Sequence, residues 1–282
     1  MSKPAPDSET IKGYARAAYQ GTQHYYEFVQ AHVIPVLQSQ LNRSEYEESV
    51  VGAYYRSHLL MRSLVKLDDF DDFQAVRSIA RSLFELLLDM KLLQLDPTLI
   101  ARFSSYSTIE RMRSAIRVAD FVAKHPSPDR AKRYRHQINL AGDTAEIKKC
   151  ETILLKVYGI TTAIGTERAA KFPKTWSKMD VRTQAAKTSV EDEEKYVAVY
   201  PIDSWFVHGG LVGIAGISQD GLVNAYGRGQ LLAQKSCHGS TFIIGKTFKL
   251  FDAQDNLWKR LKELESLSGR LFNNFMSQRE SA

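Results

Sequence analysis

Tyr200, Ser204 and His208 recur at four-residue intervals in the segment Tyr200-Pro-Ile-Asp-Ser-Trp-Phe-Val-His-Gly-Gly. On a helix each four-residue step rotates by only about 40°, so three hydrogen-bonding side chains share one stripe. Asp203, Trp205, Phe206 and Val207 face elsewhere. A polar stripe on an otherwise apolar helix must find partners. His208 titrates near neutral pH and suits acid or base work. Ser204 is a poor nucleophile candidate, because four residues along a helix is not a dyad geometry and no G-x-S-x-G elbow is present.

A second stripe lies earlier. Arg81 and Glu85 stand four apart on the most apolar helical stretch of the chain, and Asp89 extends the line by one turn. A buried ion pair costs several kcal/mol of desolvation unless it is fully hydrogen-bonded. The pair therefore either orients helices across a polar seam or belongs to a site. In a site, Arg81 would hold an anionic group such as phosphate, and Glu85 would orient Arg81 or His208. Glu85, Asp89 and His208 could ligate a metal, but the E-x-x-H and H-E-x-x-H spacings do not occur, so no metal is expected. Gly227-Arg-Gly229 lacks the preceding strand that a dinucleotide fingerprint needs, and there is no Walker A motif, so no cofactor is expected.

Basic residues gather at Arg111, Arg113 and Arg117, and again at Arg130, Lys132, Arg133, Arg135 and His136. Arg130 and His136 match an R-x5-H spacing that resembles the motif of helical HEPN ribonucleases, in which arginine and histidine meet at a dimer interface. Ala131 stands where that motif usually carries a polar residue. The likeness implies a homodimer acting on RNA, and retention of RNA cleavage by His136→Ala would refute it.

Three motifs stand in order: Arg81-x3-Glu85, then Phe172-Pro-Lys-Thr-Trp176, then Tyr196-x3-Tyr200-x3-Ser204-x3-His208-Gly209. Their order and spacing resemble an uncharacterised family of helical bacterial proteins, the DUF5677 type, over about residues 45 to 215. The resemblance implies that Arg81, Glu85, Trp176, Tyr200, Ser204 and His208 converge in one place. It brings no established activity.

The elements that must position these residues read as helices. Aromatic and aliphatic residues recur at helical spacing from 8 to 41, with Pro35 kinking or restarting the helix. Ser44 and Glu47 form a capping box for a helix running to about Leu67. Asp68 to Asp72 open the next, which is apolar nearly all round and therefore central. Asp96-Pro97 starts another, reaching about Lys124. Shorter helices follow over 129–138, 144–157 and 180–186, and Ser189 caps one that leads to Tyr200. The glycine-rich stretch from 209 to 229 is loop, or a helix packed unusually close to a neighbour. Two helices, about 229–252 and 254–277, end the chain, with a short strand at 241–244 as the less favoured alternative. The expected fold is an all-α, irregular multi-helix bundle with a buried polar seam. It divides into an N-terminal helix (1–43), a family-like core (44–215) and a glycine-rich connection with a helical pair (216–282).

With 282 residues, 44% hydrophobic and 25% charged, the chain can bury a core without staples. Cys150 and Cys237 lie far apart and in no metal-binding spacing, which suits a reducing cytoplasm. The first residues hold no apolar signal core, and the apolar run 205–217 is too short to span a bilayer, so no membrane is expected. Net charge is +6, which permits nucleic acid without requiring it.

Two functions fit this layout. In one, the core pocket binds or processes RNA or a nucleotide, with His208 and Glu85 catalytic and Arg81, Tyr200, Ser204 and Trp176 holding substrate. By analogy with helical ribonucleases, that role would be phage defence or a toxin-like response. In the other, the same residues form a structural hydrogen-bond network in a non-enzymatic interaction module.

Overall fold

The computed structural model describes residues 7–40, 42–164, 172–200, 218–250, 258–267 and 270. Among them every regular element is helical, and no strand occurs. The described residues fall into two compact units, Asp96–Asp180 and the remainder on either side of it.

The first unit opens with α1 (Ser8–Phe28), capped by the Asp7 carboxylate on the Thr10 amide. A π-helical turn (Val29–Val33) then leads into α2 (Ile34–Ser39). Pro35 sits in the first turn of α2, so the proline restarts the helix and the widened turn absorbs the missing bond. Helix α3 (Glu45–Leu64) begins with the capping box, Ser44 and Glu47 each bonding the other's backbone. It stops at Leu64, one turn short of the expected Leu67, and Lys66 and Leu67 continue in tighter bonds to Ser63 and Leu64. A 3-10 turn capped by Asp69 feeds α4 (Phe73–Leu95), the apolar central helix.

In the same unit α9 (Val181–Thr188) and α10 (Val190–Ala198) lead to Tyr200, with Ser189 capping Asp192. Helix α11 (Gln219–Thr247) is the longest and packs on α4, α1 and α3. It begins ten residues earlier than expected, under a Ser218 cap. Of the two readings of the glycine-rich stretch, close-packed helix holds from Gln219 onward. A Cβ on Gly229 would lie 2.8 Å from Val76 Cγ1, and one on Gly239 2.7 Å from Leu87 Cδ1. Glycine costs a helix about 1 kcal/mol per residue, but here it lets two backbones approach. Residues 241–244 are helical, not a strand. The stretch 258–267 is helical as expected.

The second unit holds α5 (Ile100–Lys124), α6 (Pro128–Arg133), α7 (Arg135–Gly142) and α8 (Thr144–Tyr158). Asp96 caps the entry to α5, and Asp143 caps α8. Gly159, with φ 64°, closes α8 in the left-handed region, where a side chain would be strained. Ile109, Met112, Ile116, Cys150, Leu154, Tyr158 and Phe172 form its core. The single helix expected over 129–138 is broken at Tyr134.

Candidate functional site

Helix α4 presents Arg81 and Glu85 one turn apart, and Tyr200 reaches them from beyond the end of α10. The Tyr200 hydroxyl donates to Glu85 Oε1 at 2.6 Å, and Arg81 Nε donates to the same oxygen at 3.0 Å. The Arg81 guanidinium lies over the Tyr200 ring, 4.6 Å from its centroid. Tyr196 stacks on Tyr200 at 4.8 Å, a second contact to the same ring. Charge, hydrogen bond and cation–π contact thus close a three-residue cluster.

The cluster is not sealed in the core. The Arg81 and Glu85 side chains are 23% and 38% exposed, while Tyr200 is buried. That corrects the expectation of a fully buried pair: on the apolar helix α4 Arg81 and Glu85 stand partly exposed, although Arg77, one turn before them, is buried. Burial, and then the bond to Glu85, push the Tyr200 hydroxyl well above the ordinary tyrosine range. Burial works against the Arg81 charge, but Glu85 and Tyr200 outweigh it and hold the guanidinium more firmly protonated than usual. Such a cluster offers an oriented cation, not a reactive nucleophile.

Ser204 and His208 lie outside the described residues. Trp176 belongs to the second unit, where its ring meets Phe103 edge-on at 5.1 Å. The loop carrying it is tied to α5: the Tyr106 hydroxyl donates to the Lys174 carbonyl at 2.7 Å, and buried Arg113 donates to the Pro173 carbonyl beneath the Phe172 ring. The basic residues Arg130, Lys132, Arg133, Arg135 and His136 are exposed. Arg130 and His136 fall on different helices, and Arg130 Nη1 donates to the His125 carbonyl at the end of α5.

The fully buried polar seam of the first unit runs elsewhere, between α1, α3 and α11. Tyr25 donates to the Cys237 carbonyl at 2.7 Å and bonds the Thr241 hydroxyl, which Tyr54 meets at 2.8 Å. His238 stacks on Tyr25 at 4.2 Å, and neither ring nitrogen has a hydrogen-bond partner among the described residues. Sequence reasoning missed this seam. Its signal was present in Gln230, Gln234 and His238, three polar residues at the same four-residue spacing as Tyr200, Ser204 and His208. It also missed Lys91, whose ammonium donates to buried Asp192 at 2.6 Å across 101 positions of sequence.

A model described as a family of unknown function, DUF5677, matches residues 47–221, more than half of the chain. The chain belongs to the DUF5677 family. The DUF5677 region runs from the first turn of α3 to the first turn of α11, and it includes Arg81, Glu85, Trp176, Tyr200, Ser204 and His208. It leaves out α1 and most of α11, and with them Tyr25, His238 and Thr241. No curated protein and no solved structure matches the chain. Among the described residues no helix is long and apolar enough to cross a membrane.

Proposed function

We propose that this DUF5677 protein binds a phosphate-bearing ligand, RNA or a nucleotide, at the Arg81–Glu85–Tyr200 cluster. The observation that carries the reading is the bracing of Arg81. Its guanidinium is stacked on an aromatic ring and hydrogen-bonded to a carboxylate, yet stays a quarter exposed. An oriented, partly exposed arginine loses little freedom on meeting a phosphate, which suits it to that partner better than to water. His208, two four-residue steps beyond Tyr200, is the acid or base in this reading if the bound ligand is processed. The exposed Arg130, Lys132, Arg133, Arg135 and His136 would form a contact surface of their own for RNA.

The test is binding of a short RNA and of a mononucleotide to the full chain over a salt series. Arg81→Gln is expected to weaken binding by about tenfold or more, the cost of one charge-assisted contact of 1.5–3 kcal/mol. Unchanged affinity in a folded Arg81→Gln variant would refute the reading, as would affinity that does not respond to salt.

A specific observation favours the structural alternative. Tyr200 is buried and gives its hydroxyl to Glu85 across 115 positions of sequence, which fastens the end of α10 to α4. In that case Tyr200→Phe lowers the melting temperature and leaves ligand affinity untouched.

A further inference from the structure

The outer face of α5 changes character along its length. Arg111 and Arg113 are taken up by Glu146 and Glu110. Beyond them Arg117, Phe121 and Lys124 follow at steps of four and three residues, and all three are exposed. Past Pro126 the chain enters α6 and then α7, which packs on α5. Arg130, Lys132, Arg133 and Arg135 stand exposed on these two short helices.

Between positions 117 and 136 six Lys and Arg face two acids, Asp120 and Asp129. Among the described residues none of the six enters an ion pair. The excess is therefore open to a polyanion, and it lies wholly within the second unit.

Phe121 is an independent observation. It is absent from the apolar core of its unit, and 47% of it is exposed. The groups that touch its ring are cationic or polar. The Arg130 guanidinium stands over the ring, 5.9 Å from the centroid, and the His125 ring lies 5.1 Å away at a tilt of 50°. Arg130 Nη1 donates to the His125 carbonyl at 2.9 Å, which holds the guanidinium beside the ring. An aromatic face and a placed cation thus sit together at the surface, inside the basic stretch.

We propose that this end of the second unit binds single-stranded RNA, with Phe121 as the platform on which a base stacks and Arg117, Lys124, Arg130 and Arg133 meeting the phosphates. The proposal rests on reading the exposed basic residues as an RNA surface, and not on the Arg81 cluster. It adds the strandedness. Any base has a π-face to lay on an exposed ring, but only an unpaired strand can turn one outward. A duplex keeps its bases in its own stack, so it could use the cations and leave Phe121 idle. One exposed ring among six cations is also too little apolar surface to enter a lipid bilayer.

The test measures binding of the full chain to a short oligouridylate, to an RNA duplex of the same length and to anionic phosphatidylserine vesicles. The single strand is expected to bind more tightly than the duplex. Phe121→Ala should weaken the single strand by about tenfold and leave the duplex unchanged. Phe121→Trp should keep the affinity, with its indole fluorescence quenched in step with binding as the base stacks. The proposal is overturned if a folded Phe121→Ala variant binds the single strand as tightly as the wild type. It is overturned equally if oligouridylate binds Phe121→Trp without quenching it. If single strand and duplex bind alike and Phe121→Ala changes neither, this proposal falls while the basic RNA surface stands. If no RNA binds, both fall, and vesicle binding in that case assigns the surface to lipid.

Discussion

The Thr241 hydroxyl serves two buried tyrosines, Tyr25 from α1 and Tyr54 from α3. Thr241→Val keeps the shape but takes a buried hydrogen-bond partner from each tyrosine, and only Tyr25 keeps its bond to the Cys237 carbonyl. The expected loss is about 2 kcal/mol of unfolding free energy in a denaturant titration, and Thr241→Ser should restore most of it. His238 makes a second prediction at this scale. Burial lowers its pKa from 6.5 to about 3. Between those values the unfolded chain holds a proton that the folded chain does not, so stability rises with pH through this window and is complete above it. Going from pH 7.5 to pH 5 should cost about 2 kcal/mol on this account. Unfolding measured at both pH values should show the loss in the wild type and little of it in His238→Gln. Equal acid sensitivity in the two proteins would assign the effect to other groups.

Helix α11 is the element whose behaviour depends most on its neighbours. Its glycines mark where α4 passes closest. At Gly229 an added Cβ would stand 2.8 Å from Val76 Cγ1, and Val76 is fully buried and stiff at χ1. Gly229→Ala should therefore destabilise the protein by about 1–3 kcal/mol, despite alanine's better helix propensity. Gly52, inside α3, has nothing within 4 Å of the same position. Gly52→Ala should raise stability by about 0.5–1 kcal/mol. Opposite signs for one chemical change, read as melting temperatures, would separate close packing from propensity. The same close approach brings Gly239 against Leu87 of α4.

At the scale of the whole molecule, the charge divides unequally between the two units. Residues 96–180 carry sixteen Lys and Arg against nine Asp and Glu, a net of +7, while the rest of the chain comes to −1. Arg130, Lys132, Arg133 and Arg135 in that unit are exposed. A polyanion should therefore bind with a steep salt dependence, and replacing Arg133 and Arg135 by glutamine should reduce the slope of log affinity against log salt by about 1–2. A flat dependence would remove nucleic acid from the readings of this protein.

Local sequence determined most of the helices. Caps at Ser44, Asp96, Asp143, Ser189 and Ser218 act within three residues of themselves, and the stops at Pro35 and Gly159 act through their own backbone. The Arg81–Glu85 pair was legible for the same reason, since one helical turn joins the two residues. Its link to Tyr200 was legible only through the order of family motifs. Tertiary structure alone decided the rest. Whether a glycine-rich stretch is loop or helix depends on what lies within 3 Å of it, and that is set by Val76 and Leu87, about 150 residues away. Whether Lys91 reaches Asp192 depends on how α4 and α10 cross, and no spacing along the chain encodes a crossing.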